Sequence, residues 1–525
     1  MISNALSPAQ FCELQSALFL EKSFPKTRKT RGQFFTPLPV ARFMAGLADY
    51  HEKTLRVLDA GAGTAILSCA VCEAVAKRKA VEKIEIDAYE DDPQLAGLAR
   101  NCLDLAGHWL AEQGIELSYQ VVEEDFILSF PQGLWAKEII PYDLAIGNPP
   151  YFKIGKNDPR AVSTSRFVHG QPNIYTLFMG VTAELLRDKG VMIVITPRSY
   201  AAGPYFRLFR QRFFDMMQPE RVHLFESRKD AFRKDDVLQE NIILKARKSG
   251  KPSMIKISLS RGMDDLDEPA NYDLPISRVL YSTGKDIILR LPTSDLDIGI
   301  IDMVEEWTGN LHKYRLEIST GPVVPFRAEN LILDGRQRDR TLVPLIWMQN
   351  VQAMKVQWPL FDTRNGKEKP QFIKANAESF KRKLLLPDQN MVLLRRFSAK
   401  EETRRLTAAP LLKGQLSSKL IGLENHVNYI YKPMGELNKT QAFGLAALLN
   451  SSWLDRYFRV SNGNTQVSAT EIRAMPLPSL EVIEDIGHSI RLLDHVPTLE
   501  EIDNLVLSNI CGNNLLNFAG GISGG

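Results

Sequence analysis

Between Leu55 and Lys248 short apolar runs alternate with helical stretches, and this alternation restricts the fold more than any other feature of the chain. "LRVLDAGAG" reads as a strand entering a glycine turn, with "TAILSCAVCEAVAKRK" as the helix after it. "KIEIDAYEDDP" is strand and turn, "PQLAGLARNCLDLAGHWLAEQG" helix, and "LSYQVVEEDF" strand. "YDLAIGNPPY" is a strand that breaks, "IYTLFMGVTAELLRDKG" a helix, "VMIVITPRSY" a strand, and "ENIILKARK" closes the series. Such alternation predicts an α/β fold, a doubly wound, mostly parallel sheet with helices on both faces. Ligands of these sheets bind at the carboxyl ends of the strands. After about residue 250 the rhythm gives way to irregular, proline-punctuated, more basic segments, which predict a second, mixed α/β domain. The boundaries are placed at 1–265, 266–480 and 481–525, the last a helical segment ending in the tail "NFAGGISGG", expected to be disordered.

Composition excludes several classes. The chain is 44% apolar and 24% charged, as in an ordinary soluble protein. No run reaches the roughly eighteen apolar residues of a membrane span. The N-terminus lacks a basic region followed by an apolar one, which argues against export. Five cysteines make no disulfide framework, and a reducing, cytoplasmic setting fits. Cys69 and Cys72 form a C-x-x-C, but they sit in a helical apolar run with no second pair or clustered histidines, so they are expected as core residues and no metal site is expected. Net charge is only +3, yet twelve Lys/Arg against five Asp/Glu fall between Arg364 and Arg405, interleaved with Phe372, Phe380 and Phe397. By itself such a run is ordinarily a solvated face.

Four successive strand ends carry chemistry. The first, "VLDAGAGTA" (57–65), supplies Asp59, Ala60, Gly61 and Gly63 before a helix opens near Thr64; glycines let a ligand approach the backbone, and a helix N-terminus offers amides. The three-glycine dinucleotide pattern is absent. The second, "AYEDDP", places Glu90 and Asp91 where a carboxylate accepts ribose hydroxyls in adenosine-binding folds, although a surface acidic turn reads the same way. The third, "VEEDF", offers Asp125 to an adenine amine and Phe126 to its ring. The fourth breaks at Asn148-Pro149-Pro150-Tyr151, a turn rigidified around one amide and one ring. The ordering is far more specific than any member.

This ordering resembles the S-adenosylmethionine-dependent N(6)-adenine DNA methyltransferases of the gamma class, from type II restriction–modification systems (the Eco57I-like methylase family). The resemblance covers the first 250 residues and implies a seven-stranded class I methyltransferase sheet followed by a target-recognition domain. "GQFFTP" (32–37) is similar to the family's N-terminal motif, which assigns Thr36 and Pro37 to the methionine end of the cofactor. By the same resemblance Asp59 lies near the methionine, Glu90 takes the ribose, and Asp125 and Phe126 hold the cofactor's adenine. "STGPVVPFR" (319–327) and "LLNSSWLDRYFRVSNGNTQVSATEIRAMPLP" (448–478) resemble framework segments of recognition domains.

An aromatic amine is a poor nucleophile because its lone pair is delocalised. The Asn148 side-chain oxygen and the Pro149 carbonyl, fixed by the prolines, are suited to accept both amine hydrogens as the nitrogen attacks. The sulfonium methyl is already activated, so placement matters more than a general base. Tyr151 offers a stacking face to a base flipped out of duplex DNA, and the resemblance puts a second ring at Phe232, with Phe225 a close competitor. Given DNA as partner, Arg336, Arg338, Arg340, Lys381, Arg382, Arg395 and Arg396 are expected at phosphates or base edges, and "KTRKTRGQ" (26–33) at the backbone. A monomer on DNA is expected, and the resemblance leaves room for a separate cognate restriction endonuclease. Rival readings are an RNA or protein-glutamine amino-methyltransferase, or a catalytically silent DNA specificity subunit.

Overall fold

Strand β1 (Thr54–Ala60) pairs in parallel with β2 (Lys83–Tyr89), Val57 opposite Ile86 and Ala60 opposite Tyr89, so both strands reach one edge together. The structure, a computed structural model, describes residues 6–22, 34–49, 51–130, 140–168, 172–225, 241–282, 286–333, 341–360, 369–398, 404–461 and 466–511. It divides into two compact units, Met1–Thr293 with Ser461–Gly463, and Ser294–Val460 with Asn464–Gly525. Among the described residues no helix is long and apolar enough to cross a membrane.

In the first unit α1 (Pro8–Lys22) and α2 (Leu38–Gly46) precede β1, and α3 (Ile66–Arg78) and α4 (Pro93–Ala111) follow β1 and β2. Helix α4 starts where its sequence says it should: Pro93 needs no amide partner, and the Asp92 side chain accepts from the Gln94 amide at 3.0 Å. Cys69 and Cys72 are fully buried on α3, among the apolar residues behind the sheet. The chain runs outward through β3 (Glu116–Val122), then returns to lay β4 (Tyr142–Gly147) on the other side of β1, Leu58 opposite Ala145. That reversal opens a crevice beyond the ends of β1 and β4, where a doubly wound sheet binds its ligand.

Beyond β4 come α5 (Pro159–Ser163), α6 (Ile174–Leu185), β5 (Leu186–Pro197), α7 (Arg207–Met216), β6 (Met217–Phe225) and β7 (Asn241–Lys248). The sheet does not stop at seven strands. β8 (Met254–Ser260) pairs in parallel with β6, β9 (Ala270–Pro275) pairs antiparallel with β8, and the order is β3-β2-β1-β4-β5-β7-β6-β8-β9. The expected count is corrected to nine. β8 escaped notice because two of its inward residues are serines: Ser258 and Ser260 are buried against His223, whose ring nitrogens lie 3.0 Å from each hydroxyl. The unit extends to Thr293, past 265, because β9 pairs with β8 beyond that point. Asp286 and the Ile287 carbonyl bind the buried guanidinium of Arg210 on α7, which fastens this stretch to the sheet's helical layer.

The second unit has a four-stranded antiparallel sheet (317–320, 427–431, 391–395, 408–411) and a five-stranded mixed one (332–333, 372–374, 342–346, 420–423, 385–387). Helices Lys439–Asn450 and Leu480–Arg491 cross at Gly444 and Gly487, where an added Cβ would lie 1.8 Å from the Ile483 carbonyl oxygen and 1.9 Å from that of Thr440. Residues 481–510 are therefore built into this unit's core, to which Ile483, Ile486 and Ile502 contribute, and the tail "NFAGGISGG" lies outside the described residues.

Candidate active site

The crevice is a cavity of about 340 Å³ at the carboxyl ends of β1, β2 and β4. Gly61 and Gly63 face it from one wall, Glu90 and Asp91 from the next, then Asp125 and Phe126, with Asn148, Pro150 and Thr36 at the remaining side. Nine of the expected residues are thus brought together from five separate segments. Pro37, Asp59, Ala60, Pro149 and Tyr151 do not line it. Pro37 is the N-cap of α2, and Ala60 and Pro149 border a small void of about 10 Å³. Phe232, Arg336, Arg338, Arg340 and the 26–33 segment lie outside the described residues.

The glycine turn contributes room rather than free donors. Gly61 and Gly63 hold φ of +77° and +58°, where a side chain is strained. The amides of Gly61 and Ala62 donate to the Tyr89 carbonyl at 2.9 and 2.8 Å, and the Gly63 amide donates to Glu90 Oε2 at 2.8 Å. Glu90 Oε1 accepts from the Asp92 amide at 3.0 Å. Two backbone donors fix the carboxylate, yet burial outweighs them and pushes its pKa up to about 7, with Asp91 and Asp92 adding to the rise. Asp59 is wholly buried behind the turn. Its Oδ2 accepts from the Ser68 hydroxyl at 2.6 Å, Oδ1 has no hydrogen-bond partner, and burial raises its pKa to about 6.

At the far wall Asp125 Oδ1 accepts from the amides of Ile127 and Leu128 at 3.0 and 3.1 Å, a local turn that fixes the carboxylate plane. Phe126 is 2% exposed, with Phe178 at 5.2 Å and Tyr89 at 5.3 Å between ring centroids. Phe178, Phe35 and Arg160 also line the cavity. Sequence reasoning missed Phe178 and Arg160, which sit on helices after the motifs and carry no local signal. Phe34 and Phe35 stood inside "GQFFTP" but drew no role.

The Asn148 amide is oriented by its partners. Its Nδ2 donates to the Phe34 carbonyl at 2.9 Å and to the Thr36 hydroxyl at 3.1 Å. A backbone carbonyl only accepts, so the other atom is the oxygen, and Oδ1 in turn accepts from the Tyr151 hydroxyl at 2.5 Å. The Ile195 carbonyl is a second acceptor within 3.0 Å of that hydroxyl. Tyr151 is 7% exposed, and burial raises its pKa well above the ordinary phenol value. Its ring does not stand open: Phe34 is stacked on it at 5.6 Å and 29°. Phe225 is buried in the core beside His223, away from this cavity's lining.

In the second unit Lys381 is exposed at the end of helix Ala377–Lys381. Arg382 donates to the Arg327 carbonyl at 2.6 Å and to Glu378 at 3.0 Å. Arg395 Nε donates to the Val351 carbonyl at 2.6 Å, and Arg396 Nη1 to that of Asn425 at 3.0 Å. These three therefore spend donors on their own fold.

Residues 95–232, which include the Asn-Pro-Pro-Tyr turn, match the Eco57I restriction-modification methylase family. Type II methyltransferase M.BsuBI of Bacillus subtilis is 33% identical over 470 residues, covering 88% of this chain and 90% of its own. Type II methyltransferase M.PstI of Providencia stuartii is 31% identical over 481 residues, covering 91% and 93%. The chain belongs to the type II methyltransferase family. In fold alone it is similar to the type IIL restriction–modification enzyme MmeI, solved with DNA, at a TM-score of 0.53 and 11% identity over 90% of this chain and 71% of that one.

Proposed function

We propose that the protein transfers the methyl group of S-adenosylmethionine to the N(6) amine of an adenine flipped out of duplex DNA, at one short sequence, as the modification half of a type II restriction–modification system. The observation that carries the reading is the Asn148 amide, held by Phe34 and Thr36 with its oxygen as acceptor, at the wall of the cavity. The cavity's chemistry fits that cofactor: two carboxylates on neighbouring strand ends, Glu90 and Asp125, suit ribose hydroxyls and an adenine amine, and Phe126 and Phe178 supply apolar walls for a purine. The cofactor supplies an electrophilic methyl on a positively charged sulfur. Asn148 Oδ1 and the Pro149 carbonyl would accept the amine hydrogens and turn the nitrogen lone pair toward that methyl, whose transfer would leave S-adenosylhomocysteine. One amine proton then leaves to solvent.

Extruding the base costs about a few kcal/mol, which stacking in the pocket offsets. Tyr151 provides that stack once Phe34 leaves its face, and Phe232 is the proposed second ring. Lys381, with Arg336, Arg338 and Arg340, would contact DNA. The experiment is incubation with methyl-labelled S-adenosylmethionine and mixed-sequence duplex DNA, followed by digestion to nucleosides. N(6)-methyl-2′-deoxyadenosine from one sequence context is expected. Label on cytosine, on RNA or on protein would overturn the substrate.

A further inference from the structure

We propose that Arg160 belongs to the cofactor's adenine site, holding the acceptor of the N(6) amine from the solvent side; this rests on the reading of Asp125 given above. Arg160 stands in the first turn of α5, twelve residues after Asn148, and lines the cavity together with Asp125 and Phe152. Asp158 caps that turn, accepting from the Arg160 amide at 3.0 Å, and the same carboxylate grips the guanidinium through Nε at 2.9 Å and Nη2 at 2.8 Å. The guanidinium carbon lies 5.7 Å from the centre of the Phe152 ring. A flexible side chain is thereby held as a fixed plane before any ligand arrives.

The remaining nitrogen, Nη1, faces Asp125 Oδ2 at 3.6 Å, an ion pair longer than a hydrogen bond. Asp125 Oδ1 is already taken by two backbone amides. Oδ2 is therefore the oxygen left to accept an incoming amine, and it has lone pairs for both that amine and Nη1. Arg160 fixes the direction of this oxygen and adds charge assistance to the hydrogen bond it accepts. It is a positioning residue acting through Asp125. It also links the catalytic turn to the adenine wall, because Phe152 follows Tyr151 directly.

The test compares S-adenosylhomocysteine with its analogue carrying hydrogen in place of the N(6) amine, titrated by calorimetry into wild type, Arg160→Ala and Asp125→Asn. Arg160→Ala is expected to weaken S-adenosylhomocysteine by about tenfold and to leave the analogue's affinity unchanged, since only the amine uses the assisted bond. The Arg160→Ala/Asp125→Asn double variant should lose less than the product of the single losses. Equal loss for both ligands, or no loss, overturns the role of Arg160. Wild type that binds both ligands alike overturns the Asp125 reading, and this proposal with it. If thermal melting shows Arg160→Ala unfolded, Arg160→Gln is read by the same criteria.

Discussion

Asn148 does two things with one amide. Its nitrogen ties the Asn-Pro-Pro-Tyr turn to the Phe34–Thr36 segment, and its oxygen accepts from the Tyr151 hydroxyl. Under the proposed function the Tyr151 ring, not its hydroxyl, meets the base. Tyr151→Phe should then keep turnover within about threefold, whereas Tyr151→Ala should lose about tenfold or more through the missing stack, as read by steady-state methylation. Glu90 sets a pH dependence. Its folded pKa near 7 lies above its ordinary 4.5, so between those values the folded protein binds a proton that the unfolded chain has released. Its contribution to stability is full below about 4.5 and is lost as pH rises through 7. Cofactor binding runs the other way, because the ionised carboxylate is the better acceptor. Affinity for S-adenosylhomocysteine should fall as pH drops through 7, and Glu90→Gln should flatten that profile.

At the scale of elements, the strand ends were legible because a strand's last residues and a following glycine or proline are local facts. Gly61, Glu90, Asp125 and Asn148 fall where the alternation put them, and the parallel strands β1 to β4 bring them to one edge. Phe178 and Arg160 were not legible: each reaches the cavity through packing between segments distant in sequence. β8 hid its burial behind serines whose partner is a histidine on β6. Segment 448–478 was singled out by resemblance alone, with no physical reason attached. Asn450 bonds both the amide and the carbonyl of Ala408, and Asp455 accepts from the amides of Arg405 and Leu406, so these polar residues brace the second unit's core. Gly444 has a purely steric role. Gly444→Ala should destabilise by about 1–3 kcal/mol, seen as a lower Tm of the second unit's transition, because backbone rather than a movable side chain occupies the space.

At the scale of the whole molecule, a net charge of +3 hides two kinds of basic residue. Arg395 serves its own fold, while Lys381 is exposed and available to phosphate. Lys381→Ala should weaken binding across all DNA sequences and reduce the salt slope of log K by about 1, and Arg395→Ala should lower Tm instead. Methyl transfer, on the proposed function, depends on the oriented oxygen of Asn148. Its most direct measurement is the single-turnover rate of methyl transfer to duplex DNA by Asn148→Ala beside wild type, with cofactor affinity titrated on the same preparations. The expected result is a rate lower by about 10²-fold or more, the scale of losing one preorganised partner of the transition state, at little-changed cofactor affinity. An Asn148→Ala enzyme that transfers methyl at the wild-type rate would contradict the account.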